Sequence, residues 1–119
     1  MFKILVADDD PSILELIQDV LESTKRYKVC AVPNGEDAYA AVPEFKPDII
    51  ITDVKMPKMS GRELIEKIRE SDKTIPIAVI SGFPEEAADL LVSGANMWLD
   101  KPFKDQELLD SVENLLPAN

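Results

Sequence analysis

Histidine is absent from all 119 residues, and cysteine occurs once, at Cys30. Without imidazole, any metal site must rely on oxygen ligands, which suit a hard cation. A single cysteine rules out an internal disulfide and a thiolate metal site. In Tyr27-Lys-Val-Cys-Ala-Val32 it reads as a small buried core residue. Long apolar runs are missing: none approaches the roughly 20 residues that span a bilayer. No secretory pattern opens the chain, so a cytoplasmic location without membrane association is expected. Positive charge is scarce, with 13 Lys and Arg against 23 Asp and Glu and a net charge of −10. Such a field repels nucleic acid and favours cations wherever carboxylates converge. Repeats, low-complexity tracts and linkers are lacking too, so residues 1–119 read as one domain.

Short apolar strands alternate with helical patterns from end to end. The strands are expected at Lys3–Ala7, Lys28–Val32, Asp48–Asp53, Ile75–Ser81 and Met97–Leu99. Between and after them, helices are expected over residues 11–24, 35–42, 61–71, 85–93 and 105–116. Unbroken runs such as Ile49-Ile-Ile and Ile77-Ala-Val-Ile suit parallel strands buried on both faces. Five such units imply an α/β fold, a doubly wound parallel sheet with helices on both sides. Asp10-Pro11 supplies an N-cap followed by proline at the first helical position, which argues against Asp10 as a ligand. Ile13, Leu16, Ile17, Val20 and Leu21 follow on one face. Leu14 widens that arc to about 160°, leaving one edge either buried or open to a partner. Gly94 stands where a helix should end.

In such sheets ligands bind at the carboxyl ends of the strands, where the strand order reverses. Asp8 and Asp9 end the first strand, Asp53 the third and Ser81 the fourth, while Lys101 follows the fifth. With the order 2-1-3-4-5, the first and third strands are neighbours about 4.8 Å apart. Their terminal carboxylates could share one Mg²⁺ or Mn²⁺, with oxygen ligands at roughly 2.0–2.1 Å for Mg²⁺. Lys101 would lie two strands from Asp53, within reach of a four-carbon side chain. Two carboxylates closing an apolar strand as plain loop acids would repel each other without compensation.

This set resembles the response-regulator receiver domain of two-component signalling, close to the chemotaxis regulators. The resemblance rests on the pair Asp8-Asp9, on Asp53 with its loop Asp53-Val-Lys-Met-Pro-Lys-Met-Ser-Gly61, on Ser81, on Trp98 and on Lys101-Pro102-Phe103. It implies a flavodoxin-like (βα)5 three-layer sandwich without an output domain. It also implies that Asp53 accepts a phosphoryl group from a sensor histidine kinase or histidine phosphotransfer protein, or from a small phosphodonor. The metal would be held by Asp9, Asp53 and the backbone carbonyl of Lys55, with Asp8 acting through water. Lys101 would bind one phosphoryl oxygen, and Ser81 would turn towards another. Trp98 would then rotate inward, or simply pack, and change the surface formed by the fourth helix, fifth strand and fifth helix. Pro57 and Gly61 would shape the loop, and the bond before Pro102 would be cis. A downstream protein target, and either a monomer or a phosphorylation-dependent dimer, complete the expectation.

Four departures stand out. Only 12 residues separate Ser81 from Gly94, about two fewer than the family suggests, and Pro84 stiffens the start of that helix. Trp98 is bulkier than the usual Tyr or Phe, and Lys58 replaces a common glycine. Two other readings compete: an interaction module of the same fold that no longer takes phosphate, and a haloacid-dehalogenase-like phosphatase built on Asp8-Asp9-Asp10. The chain has no further acidic metal motif and no cap segment for the second.

Overall fold

A computed structural model describes residues 1–117. Strands and helices alternate throughout: β1 (Phe2–Ala7), α1 (Pro11–Ser23), β2 (Tyr27–Val32), α2 (Gly35–Phe45), β3 (Ile49–Asp53), α3 (Gly61–Ser71), β4 (Ile77–Ser81), α4 (Pro84–Ser93), β5 (Met97–Asp100) and α5 (Asp105–Leu115). The five strands form one parallel sheet in the order β2-β1-β3-β4-β5. Alternating side chains on each strand feed two cores. Ile4, Val6, Ile49, Ile51 and Ile80 meet Ile17 and Leu21 of α1 and Leu108 and Val112 of α5. Leu5, Ala7, Ile50, Ile77 and Val79 meet Ala38 of α2, Leu64, Ile65 and Ile68 of α3 and Leu90 of α4. Burial on both faces explains why these strands carry runs of isoleucine rather than alternation.

The helix starts follow local chemistry. Asp10 accepts from the Ser12 amide ahead of Pro11, and Asn34 accepts from Asp37. Ser60 and Glu63 form a reciprocal capping box at α3. The left-handed φ of 128° at Gly94 ends α4. There Arg69 of α3 donates to the Gly94 carbonyl at 3.0 and 2.9 Å and to Asn96 at 3.1 Å. Asn96 in turn accepts from the Ile77 amide at 2.8 Å, tying α3, α4 and the start of β4 together.

Four expectations need correction. Helix α2 runs three residues beyond 42, through Pro43, because the proline removes a single hydrogen bond near the end while Val42 and Phe45 pack on the core. Strand β4 begins at Ile77 rather than Ile75, since Pro76 has no amide and the Ile75 amide is taken by the Asp72 side chain. Cys30 is half-buried, because β2 is an edge strand with one open flank. In α1, Ile13, Leu14 and Val20 pack against the core, but Leu16 is exposed. It lies about 100° from Ile17 around the helix axis, outside the arc that α1 presents to the sheet.

Candidate functional site

The carboxyl ends of β1, β3 and β4 and the segment after β5 converge on one edge of the sheet. Register pairs Ala7 with Thr52 and Asp53 with Ile80, so the chain emerging from β1 leaves beside Asp53. The carboxylates of Asp8, Asp9 and Asp53 come together there, one oxygen from each lying within 4.8 Å of the others. Lys101 reaches across from beyond β5: its Nζ is 3.3 Å from Asp8 Oδ2 and 3.4 Å from Asp53 Oδ1. The Lys101–Pro102 bond is cis. A cavity of about 250 Å³ opens beside Asp53, lined by Lys55, Ser81, Phe83, Glu86 and Lys101 among others.

Each side chain has a distinct environment. Asp8 is fully buried, and its Oδ1 accepts from the Asp10 amide at 2.9 Å. Its Oδ2 faces Lys101 for charge but receives no hydrogen bond. A buried, unsatisfied carboxylate oxygen beside two more carboxylates is a donor set for a hard divalent cation, so the residues present fit Mg²⁺. Asp9 is exposed at the rim. Burial pushes the Asp53 carboxyl up to about 6, and the Asp8 charge adds to this, while the Val54 amide and Lys101 pull the other way. For Lys101 burial alone would lower the ammonium, but Asp53 and Asp8 outweigh it and hold it above its ordinary value. Lys101→Met should therefore raise the Asp53 pKa above 6 in metal-free protein. Side-chain carboxyl carbon shifts across a pH titration would measure this, and an unmoved midpoint would refute the coupling.

Ser81 is buried, and its hydroxyl is engaged in a local turn, accepting from the Phe83 amide at 2.9 Å and donating to its carbonyl at 3.1 Å. Trp98, opposite Val79 on β5, is half-buried against the α2–α4 core and donates from Nε1 to Asp100 at 2.6 Å. Pro57 is exposed in the loop after Asp53. Lys58 takes a left-handed φ of 68° while Met59 N donates to Pro57 O at 2.7 Å, a tight turn that a glycine would enter without strain. Gly61 donates to Val54 O at 2.8 Å, and a Cβ there would stand 2.2 Å from Asp53 O. Sequence reasoning overlooked two participants. Gly35 donates to Met59 O at 3.1 Å and so pins the far side of this loop, and Glu86 pairs with Lys55 at 3.1 Å. The Asn34-Gly35 step was the available signal for the first; the second had none.

The sequence profile described as the response regulator receiver domain matches residues 4–113. The chain belongs to that family. It is 36% identical over 120 residues to the uncharacterized transcriptional regulatory protein YesN of Bacillus subtilis (strain 168), covering 98% of this chain and 33% of that protein. It is likewise 36% identical to the sensor histidine kinase TmoS of Ectopseudomonas mendocina, covering 96% of this chain and 12% of the kinase. Among solved structures, the chemotaxis protein CheY4 of Vibrio cholerae superposes with a TM-score of 0.90 at 32% identity, covering 98% of this chain and 99% of that one. The chain is thus a receiver domain of two-component systems, homologous to the phosphoacceptor domains of response regulators and histidine kinases. Receiver domains work with histidine kinases and phosphotransfer proteins and bind Mg²⁺ at an acidic pocket. The phosphatase reading is not favoured. Among the described residues, no helix is long and apolar enough to cross a membrane.

Proposed function

We propose that Asp53 is the phosphoacceptor of this receiver domain. The observation that carries the reading is the position of Lys101, within 3.4 Å of Asp53 and 3.3 Å of Asp8 at the edge of a cavity large enough for a phosphoryl group. An Asp53 carboxylate oxygen attacks the phosphorus of a phosphohistidine or small phosphodonor in line. The bond from phosphorus to the leaving group breaks, and an acyl phosphate results. Asp9, Asp53 and the Lys55 carbonyl, with Asp8 acting through water, would hold Mg²⁺ or Mn²⁺, whose charge would offset the repulsion between carboxylate and incoming phosphoryl group. Lys101 then binds one phosphoryl oxygen as a point charge. Ser81 gives up its turn with Phe83 and donates to another, drawing the β4–α4 loop inward. In the same reading Trp98 exchanges its Asp100 bond for a more buried position, and the surface of α4, β5 and α5 changes. The partners are a histidine kinase or phosphotransfer protein upstream and a protein target downstream.

Treatment with acetyl phosphate, then borohydride reduction and peptide mapping, tests the assignment. One homoserine per chain at position 53 is expected. A modified residue elsewhere would move the acceptor, and absence of label with no response to beryllofluoride would favour the inert interaction module.

A further inference from the structure

Helix α4 borders the cavity beside Asp53, and its first turn is loosely held. Phe83 occupies the N-cap position without a side-chain cap, and Pro84 follows. Only Ala87 and Leu90 of the helix are buried. Two ion pairs join it to the β3–α3 region: Lys55 Nζ to Glu86 Oε1 at 3.1 Å, and Arg62 to Asp89 at 3.6 Å. Lys55 and Glu86 also line the cavity that holds Asp53 and Lys101. The Glu86 side chain is 32% exposed and the Lys55 side chain 81%. A carboxylate on α4 and a lysine two residues after Asp53 therefore share the space that an added phosphate would enter.

We propose that the Lys55–Glu86 pair is an ionic strap that phosphorylation exchanges, which makes Glu86 a determinant of how readily this pocket accepts a phosphoryl group. The inference rests on Asp53 as acceptor. A phosphoryl group brings about −1.5 to −2 charges. It attracts Lys55 and repels Glu86, so both forces act to open the pair. Lys55 becomes the second lysine on the phosphoryl group, beside Lys101. Glu86 is released together with the uncapped first turn of α4, while Arg62–Asp89 remains to hold the next turn. In the unphosphorylated domain the strap resists this motion, and the Glu86 charge opposes incoming phosphate.

The test uses beryllofluoride with Mg²⁺ on the whole chain, reading bound fluorine by ¹⁹F NMR and α4 by amide shifts. Glu86→Gln should bind the mimic about two- to fivefold tighter, the range expected of a partly exposed ion pair. In the free protein, its amides at residues 85–89 should move part-way towards their positions in the wild-type complex. Lys55→Met keeps the backbone carbonyl and should release α4 in the same way, yet without tighter binding, because the cation is lost with the strap. Wild-type binding with unchanged or weaker affinity in Glu86→Gln would overturn the strap alone. Failure of the wild type to bind the mimic would overturn both the strap and the phosphoacceptor reading.

Discussion

Asp53→Asn is expected to abolish phosphate incorporation from acetyl phosphate and, without divalent metal, to make the fold more stable at pH 7. The first effect follows from loss of the attacking oxygen. The second follows from the cost of holding a partly buried charge beside Asp8, which raises the Asp53 carboxyl from its ordinary 3.8 to about 6. A carboxyl with a raised folded-state pKa stabilises the fold fully below its unfolded value and loses that contribution as pH climbs through the folded one. The variant should accordingly exceed the wild type at pH 7, and the gap should close on acidification from 6 towards 4. At about 1.4 kcal/mol per unit, and with solvent screening part of the charge, the gap should be about 1–2 kcal/mol. Saturating Mg²⁺ should narrow it, because the variant keeps Asp8 and Asp9 but lacks the Asp53 carboxylate and so gains less from the cation. Urea unfolding at pH 7, 5.5 and 4, with and without Mg²⁺, would measure it. A variant less stable than wild type at pH 7 without metal would contradict the electrostatic account.

Gly61→Ala should be the most damaging small substitution near the site. Its new methyl would stand 2.2 Å from the Asp53 carbonyl oxygen and 3.2 Å from Val54 Cα, both backbone atoms that cannot swing aside. Either α3 backs away, losing the 2.8 Å bond from Gly61 N to Val54 O, or the end of β3 shifts and carries Asp53 with it. Overpacking of this kind costs about 1–3 kcal/mol. A displacement of about 1 Å in a reacting group can slow its chemistry about 100-fold. Urea unfolding and the initial rate of labelling by acetyl phosphate should both fall. A normal rate at lowered stability would show that the strain is absorbed by α3 alone.

Much of the architecture could be read in the chain because the signals were local and redundant. The strands Ile4-Leu-Val-Ala, Ile49-Ile-Ile and Ile77-Ala-Val-Ile are too apolar for anything but the middle of a covered sheet, and those three are its central members. The carboxylate cluster was legible for the same reason, since Asp8, Asp9 and Asp53 sit where those strands stop. What could not be read depended on partners distant in sequence. The length of α2 was settled by the packing of Phe45, not by Pro43. The start of β4 was settled by Asp72, which takes the Ile75 amide. The half-exposure of Cys30 follows from the edge position of β2, which no apolar pattern in Tyr27–Val32 discloses. Lys55 reads as an ordinary loop lysine until α4 brings Glu86 alongside it.

The tie between Gly35 and Met59 carries a consequence beyond the acidic pocket. Helix α2 offers no carboxylate to the metal cluster, yet its first amide is committed to the loop that follows Asp53. A Cβ at position 35 would stand 2.3 Å from that same Met59 oxygen, so no larger residue can keep the joint closed as it stands. Hydrogen exchange at the Gly35 amide thus gives a remote gauge of loop height, readable without any label, metal or substitution inside the pocket.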